Sequence, residues 1–198
     1  IRYILFICYY GNHIIRFRNK KIKTLQVSNG LSIFATNCSC MSSRRTNKLV
    51  VPFVKWVGGK RQILSEIEKY LPSKFATYYE PFIGGGALLF HIQPKNAIIN
   101  DFNAELINLY TVIKENPLEL IADLKKHKNE ADYFYEIRSL DRDREKFSAL
   151  TNIERASRII FLNKTCYNGL FRVNSSGEFN TPFGRYKNPN IVNEITIK

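Results

Sequence analysis

The sequence predicts an α/β fold built around a strand, a glycine turn and a helix. Three observations carry that expectation. Three consecutive glycines, Gly84 to Gly86, follow the aromatic, strand-like run Phe75 to Tyr79 and precede the short apolar helical pattern Ala87 to Ile92. A second strand-like run, Ala97-Ile98-Ile99, leads into Asn100-Asp101, 17 residues after Gly84. Amphipathic patterns of helical period then fill most of the chain from Glu105 to Leu162. A length of 198 residues suits one domain, or most of one.

Residues 1–46 do not read like the rest. They are rich in Ile, Lys, Asn, Tyr and Phe and show no sustained period. Residues 1–48 hold nine Lys or Arg and no acid, whereas the other 150 hold 21 bases and 17 acids, so only +4 of the net +13. The sole methionine is Met41, which reads as the natural start or near it. The preceding stretch is then an upstream leader, expected to be disordered; a transit peptide is a second reading, being basic and acid-free as well. The apolar run Tyr3 to Tyr10 is far short of the ~18–20 residues that cross a bilayer, so no membrane partner is expected. Cys8, Cys38, Cys40 and Cys166 form no C-x-x-C pair and have no His at zinc spacing, which suits reduced thiols in a cytosolic protein and no metal site. His13, His91 and His127 are scattered and read as core or surface residues.

Residues 47–115 are read as a cofactor-binding half. Pro52 to Arg61 sets apolar, aromatic and basic residues around Gly58-Gly59. A helix follows over Gln62 to Leu71, with Ile63, Leu64, Ile67 and Leu71 on one face and Pro72 as the stop. Lys60 and Arg61 stand at its start, where the helix dipole disfavours cations, so Lys60 is expected to meet a ligand or a carboxylate. The alternative is Trp56 as a core anchor and Lys60 as a solvated base. At the glycine turn, neither phosphate-binding spelling fits. G-x-G-x-x-G from Gly84 meets Leu89, and G-x-x-x-x-G-K-[ST] ending at Gly59-Lys60 meets Val54 and Arg61. Glu80 and Pro81 end the first strand, and a carboxylate there would repel a pyrophosphate. It suits a neutral or cationic ligand, which points to a sulfonium cofactor; a plain glycine turn is the alternative. Asp101, at the end of the second strand, sits where ribose hydroxyls are bound in strand–helix–strand sites. It could instead cap the helix Glu105 to Lys114, but Asn103 competes for that role.

Residues 116–198 read differently. Helices are expected over Pro117 to Lys128, Asp132 to Leu140 and Ile153 to Leu162, with the charged stretch Asp141 to Lys146 as a solvated linker. From Asn163 to Lys187 aromatics alternate with Asn and Arg around glycine-containing turns, and Asn174 to Gly177 makes a hairpin loop. Such a ribbon can enter a DNA major groove, or be an ordinary surface hairpin.

Three blocks in this order resemble the Dam/DpnII-type, D12 class adenine-N6 DNA methyltransferases. They are Pro52 to Lys60, Tyr79 to Ala87 with Asn100 to Asn103, and Tyr167 to Arg172 with Phe179 to Tyr186. The resemblance implies a Rossmann-like, S-adenosylmethionine-dependent methyltransferase fold with a helical and hairpin DNA-recognition insertion over 116–198. It implies cofactor binding by Trp56, Gly58, Gly59, Lys60, Glu80, Pro81, Phe82, Gly84, Gly85, Gly86 and Asp101. It also implies duplex-DNA contacts from Tyr167 as a wedge, from Arg172 reading a guanine, and from Asn168, Leu170, Asn180, Pro182 and Arg185. The expected site is GATC, methylated on adenine, in DNA methylation or a restriction–modification pair with a cognate endonuclease.

An adenine amino group is a weak nucleophile, so its base must leave the stack and acceptors must take its N6 hydrogens. In this family an Asp-Pro-Pro-Tyr segment does that work. The 198 residues contain none, so no catalytic residue is assigned. The segment is expected after Lys198 or on a separate C-terminal half, with this chain incomplete and inactive alone. Two other readings stand beside this one: a DNA-binding fragment with no enzymatic role, and a methyltransferase acting on RNA or a small molecule.

Overall fold

The computed structural model describes residues 4–10, 13–16, 46–72 and 75–198. It is a mixed fold of short strands and helices that divides into two compact units. Of the described residues, one comprises 4–10, 13–16, 46–47, 60–72, 75–83 and 87–100; the other comprises 48–59, 84–86 and 101–198.

The first unit holds a four-stranded sheet of β1 (Ile4–Tyr10), β2 (His13–Arg16), β3 (Thr77–Glu80) and β4 (Ala97–Ile99), in the order β2-β1-β3-β4. β3 is parallel to both β1 and β4, and β2 closes an antiparallel hairpin on β1. Ile4–Tyr10 and His13–Arg16, within the stretch read as a leader, are the strands β1 and β2. A continuous Ile, Phe and Tyr run has the composition of a strand with neighbours on both sides. Cys8 and His13 fall in these strands, and Cys38, Cys40 and Met41 lie outside the described residues.

The helix expected over 62–71 forms as a 3-10 turn, Lys60–Ile63, leading into α1 (Leu64–Glu68). α2 (Ala87–Ile92) matches its expected bounds. Ile67 of α1, Tyr78 of β3, and Leu88 and Ile92 of α2 form one buried cluster. The pleat puts Tyr78 and Glu80 on the same buried side of β3, so the carboxylate inherits a core environment.

The second unit is helical. It contains α3 (Ala104–Glu115), α4 (Pro117–Leu124), α5 (Ala131–Ser139), α6 (Arg144–Ala149), α7 (Asn152–Thr165) and a last turn α8 (Glu194–Ile197). α7 is the central helix, packed against α3, α4 and α5. Its start is fixed by a capping box: Thr151 accepts from the Glu154 amide, and the Glu154 carboxylate accepts from the Thr151 amide. Residues 156–163 are buried on every side, as for a helix surrounded by others. The polar members therefore need partners. Ser157 meets His127, Arg158 meets Asp141, and Asn163 bonds the Lys55 backbone in both directions at 2.8 Å.

The stretch 141–146 is not a solvated linker. Leu140–Arg142 is a 3-10 turn, Asp143 caps α6, and Asp141 is drawn inward to pair with Arg158. Among the described residues no helix is long and apolar enough to cross a membrane.

Candidate functional site

In the first unit, Glu80 at the end of β3 is 1% exposed. A buried carboxylate is costly unless paired and hydrogen-bonded. Lys60 Nζ donates to Glu80 Oε1 at 2.9 Å and to the Phe82 carbonyl at 2.7 Å. Tyr78 donates its hydroxyl to Glu80 Oε2 at 2.6 Å. Burial and the Glu80 carboxylate push the Tyr78 phenol far above its ordinary value, so it remains a donor. Lys60, misplaced for a helix start, thus meets a carboxylate. Its second bond fixes the backbone just beyond the strand, where Pro81 is partly buried and Phe82 half-exposed.

In the second unit, Asp101 is tied to the glycine turn. Its Oδ2 accepts from the Gly84 amide at 2.9 Å and its Oδ1 from the Asn103 amide at 3.0 Å. Asn103 caps α3 by accepting from the Leu106 amide at 3.1 Å, which leaves Asp101 out of the cap. A carboxylate has about four lone-pair sites, so two bonds leave Asp101 able to accept from a ligand hydroxyl. Tyr110 donates to the Gly84 carbonyl at 2.9 Å, anchoring the turn from α3. Gly84 has a positive φ of 52°, and a Cβ there would come within 3.3 Å of the Trp56 ring. Trp56 in turn stacks on Phe171 at 4.4 Å. Gly85 and Gly86 are buried, while Gly58 and Gly59, two and three residues after Trp56, are exposed.

The residues expected to contact DNA also lie in the second unit. A bridge between Val173 and Phe179 closes the hairpin. Asn174 holds its loop, accepting from the Ser176 and Glu178 amides. Tyr167, Asn168, Leu170, Arg172, Pro182 and Arg185 are exposed, and Asn180 is partly buried. Arg172 Nε donates to Asn180 Oδ1 at 2.9 Å, and the Asn180 amide returns a bond to the Arg172 carbonyl. The Tyr167 amide bonds the Pro182 carbonyl at 2.8 Å, and Thr181 donates to the Leu170 carbonyl at 2.6 Å. Asn168 and Arg185 adopt left-handed backbone conformations, uncommon away from glycine.

Several residues in these clusters escaped the sequence reading. Phe102, next to Asp101, is 97% exposed, and an aromatic directly after a strand-end acid was the available signal. Lys55 and Lys164 come close enough that burial and the Lys55 charge lower the Lys164 ammonium. Among the described residues neither has an ion-pair partner. Only the fold brings them together, because 108 residues separate Lys55 from Asn163, which holds its backbone. Cys166 is buried and its thiol pushed up to about 11 by burial, so it is an unreactive core residue. Among the described residues no group of three or more His, Cys, Asp or Glu is placed to hold a metal.

Residues 56–198 match the family model of the D12 class N6 adenine-specific DNA methyltransferases. The chain is 47% identical over 161 residues to the Type II methyltransferase M1.LlaDCHI of Lactococcus lactis subsp. cremoris, covering 80% of this chain and 56% of that protein. It is 43% identical over 167 residues to the Type II methyltransferase M.MjaIII of Methanocaldococcus jannaschii, covering 75% and 57%. It is 39% identical over 142 residues to the DNA adenine methylase of Serratia marcescens, covering 69% and 50%. The chain spans about half the length of the curated relatives it matches.

Proposed function

We propose that this chain, which belongs to the D12 class N6 adenine-specific DNA methyltransferase family, carries the cofactor cradle and the DNA-reading hairpin of an enzyme that methylates adenine in duplex DNA. The fold would be Rossmann-like, with residues 47–115 as the cofactor half and 116–198 as a recognition insertion. The site would be GATC, and a cognate restriction endonuclease and a separate C-terminal half are possible partners.

S-adenosylmethionine is the methyl donor in this reading, and when bound it supplies an electrophilic methyl on a sulfonium. Trp56, Gly58, Gly59, Lys60, Glu80, Pro81, Phe82, the Gly84 to Gly86 turn and Asp101 would hold it. The observation that carries the reading is Asp101. Its carboxylate is fixed by the Gly84 and Asn103 amides and keeps lone pairs to accept from two ribose hydroxyls. Gly84, having no Cβ, lets the Trp56 ring pack against the turn, and Phe102 offers an exposed ring for stacking on an adenine.

On the DNA side, Asn180 pins Arg172 through Nε. That leaves both terminal amino groups to donate to the O6 and N7 of one guanine, a pair that discriminates by about 1–3 kcal/mol. Tyr167 would wedge into the stack, while Asn168, Leu170, Pro182 and Arg185 line the contact. The unpaired Lys55 and Lys164 ammonium groups are suited to backbone phosphate, whose negative charge would relieve their mutual repulsion. The acceptors for the N6 hydrogens are expected from an Asp-Pro-Pro-Tyr segment, which these 198 residues do not contain. Binding and reading, without methyl transfer, are the activities proposed for the chain by itself.

The test is fluorescence anisotropy with a GATC duplex and the same duplex with its guanine replaced. Affinity for both should fall steeply with salt. Arg172→Ala should remove most of the roughly 5- to 150-fold discrimination that 1–3 kcal/mol represents while changing affinity for the altered duplex little. Equal losses on both duplexes would overturn the role given to Arg172.

A further inference from the structure

A charge cluster of Asp141, Arg142 and the buried Arg158 lies against the hairpin strand at Phe179. Asp141 Oδ2 accepts from the Phe179 amide at 2.8 Å and pairs with Arg158 at 2.8 Å. Arg142 donates through one terminal amino group to Asp141 Oδ1 and through the other to the Phe179 carbonyl, both at 2.9 Å. Both backbone groups of Phe179 are thereby held by side chains from the turn after α5. Arg158 seats the cluster on the core: it is 6% exposed and also donates to the Ile137 and Arg138 carbonyls at 2.8 Å. Arg138 reaches the hairpin as well, donating to the Thr181 carbonyl at 3.3 Å.

Phe179 precedes Asn180, and Asn180 is the residue that pins Arg172. The hairpin's other ties are the Val173–Phe179 and Cys166–Phe183 bridges, the Asn180 amide on the Arg172 carbonyl, the Thr181 hydroxyl on the Leu170 carbonyl and the bonds of its own loop, and none of these engages the Phe179 amide or carbonyl. Its Phe179 ring packs in the core with Phe161 and Phe134, which sets depth but not the rotation of the strand about its axis. Rotation is set by bonds to the amide and the carbonyl, and those are the two that Asp141 and Arg142 supply. A long arginine needs such a platform, because side-chain entropy otherwise opposes a fixed bidentate geometry.

We infer that Asp141, with Arg142, is a specificity-positioning pair: by clamping the Phe179 backbone it sets Asn180 and, through it, the direction of the Arg172 guanidinium. This rests on the proposed reading of DNA by Arg172. The pair touches no base itself. Asp141 supplies the acceptor and the counter-charge to Arg158, and Arg142 supplies the matching donor.

A purely structural role would lower the folded fraction and weaken binding to every duplex by the same factor, leaving the ratio of affinities unchanged. A positioning role lowers the ratio. The experiment measures anisotropy of the full chain on the GATC duplex and on its guanine-replaced counterpart, for the parent chain, Arg172→Ala, Asp141→Asn and Arg142→Gln. Arg142→Gln keeps the Asp141–Arg158 pair, so it guards against a misfolded Asp141→Asn. The expected result is a discrimination ratio reduced at least threefold in Arg142→Gln and further in Asp141→Asn, with binding to the altered duplex nearly constant for Arg142→Gln. If Arg172→Ala lowers the ratio and Arg142→Gln leaves it at the parent value, the positioning inference is wrong and the reading of DNA stands. If Arg172→Ala itself leaves the ratio unchanged, or no duplex is bound, the reading of DNA is wrong and the inference falls with it.

Discussion

Glu80 ends β3. Its position at a strand end before a glycine turn argued against a phosphate ligand. The structure adds that the carboxylate is buried and met by Lys60 and Tyr78. Breaking a buried ion pair from one side leaves the other charge uncompensated, at a cost of about 3–5 kcal/mol. The Lys60 ammonium keeps only its bond to the Phe82 carbonyl if Glu80 is removed, and its side chain is 10% exposed. Glu80→Gln is therefore expected to lower the denaturant midpoint by a few kcal/mol of stability, and Lys60→Met by a similar amount. A change within ~0.5 kcal/mol, the scale of an ordinary surface substitution, would mean that the pair is solvated in solution.

At the scale of elements, α7 organises the second unit, and His127, which packs on it from the turn after α4, makes a pH dependence. His127 stacks on Phe161 at 4.4 Å and bonds Tyr133 at 2.9 Å and Ser157 at 3.0 Å. Burial pulls its imidazole down from 6.5 to about 4. Between those values the unfolded chain takes up a proton that the folded chain refuses. The contribution to stability is therefore fully present above about pH 6.5 and is lost as the pH falls towards 4. Thermal melts from pH 7 to 4 should decline more steeply for the parent chain than for His127→Gln; parallel declines would remove His127 as the cause. The sequence made the helices legible, because α3, α5 and α7 carry a clear apolar period within a few residues of their observed bounds. It hid the clamp at Asp141. Alternating charges over 141–146 look like a solvated face, and the partner Arg158 sits in a different helix. Pairing between charges on separate elements leaves no local periodic trace. The parallel register of β1 on β3 was hidden for a related reason, since strand partners distant in sequence are chosen by packing rather than by spacing.

For the whole molecule, the motif blocks were readable because glycines, a strand-end acid and an aromatic–Asn–Arg hairpin each answer a local demand of backbone or ligand chemistry. The division of the residues into compact units was not, because Lys60 and Glu80 belong to one unit while Trp56, Gly84 and Asp101 belong to the other. The central proposal is that Asp101, held at the Gly84 turn of the second unit, takes part in binding S-adenosylmethionine. Isothermal titration calorimetry of the 198-residue chain with S-adenosylmethionine tests it most directly, beside an Asp101→Ala variant whose helical circular dichroism matches the parent. The account predicts saturable binding at one site per chain, lost in the variant, since Asp101 is the acceptor proposed for the ribose. No heat from the parent chain, or equal binding by the variant, would contradict it.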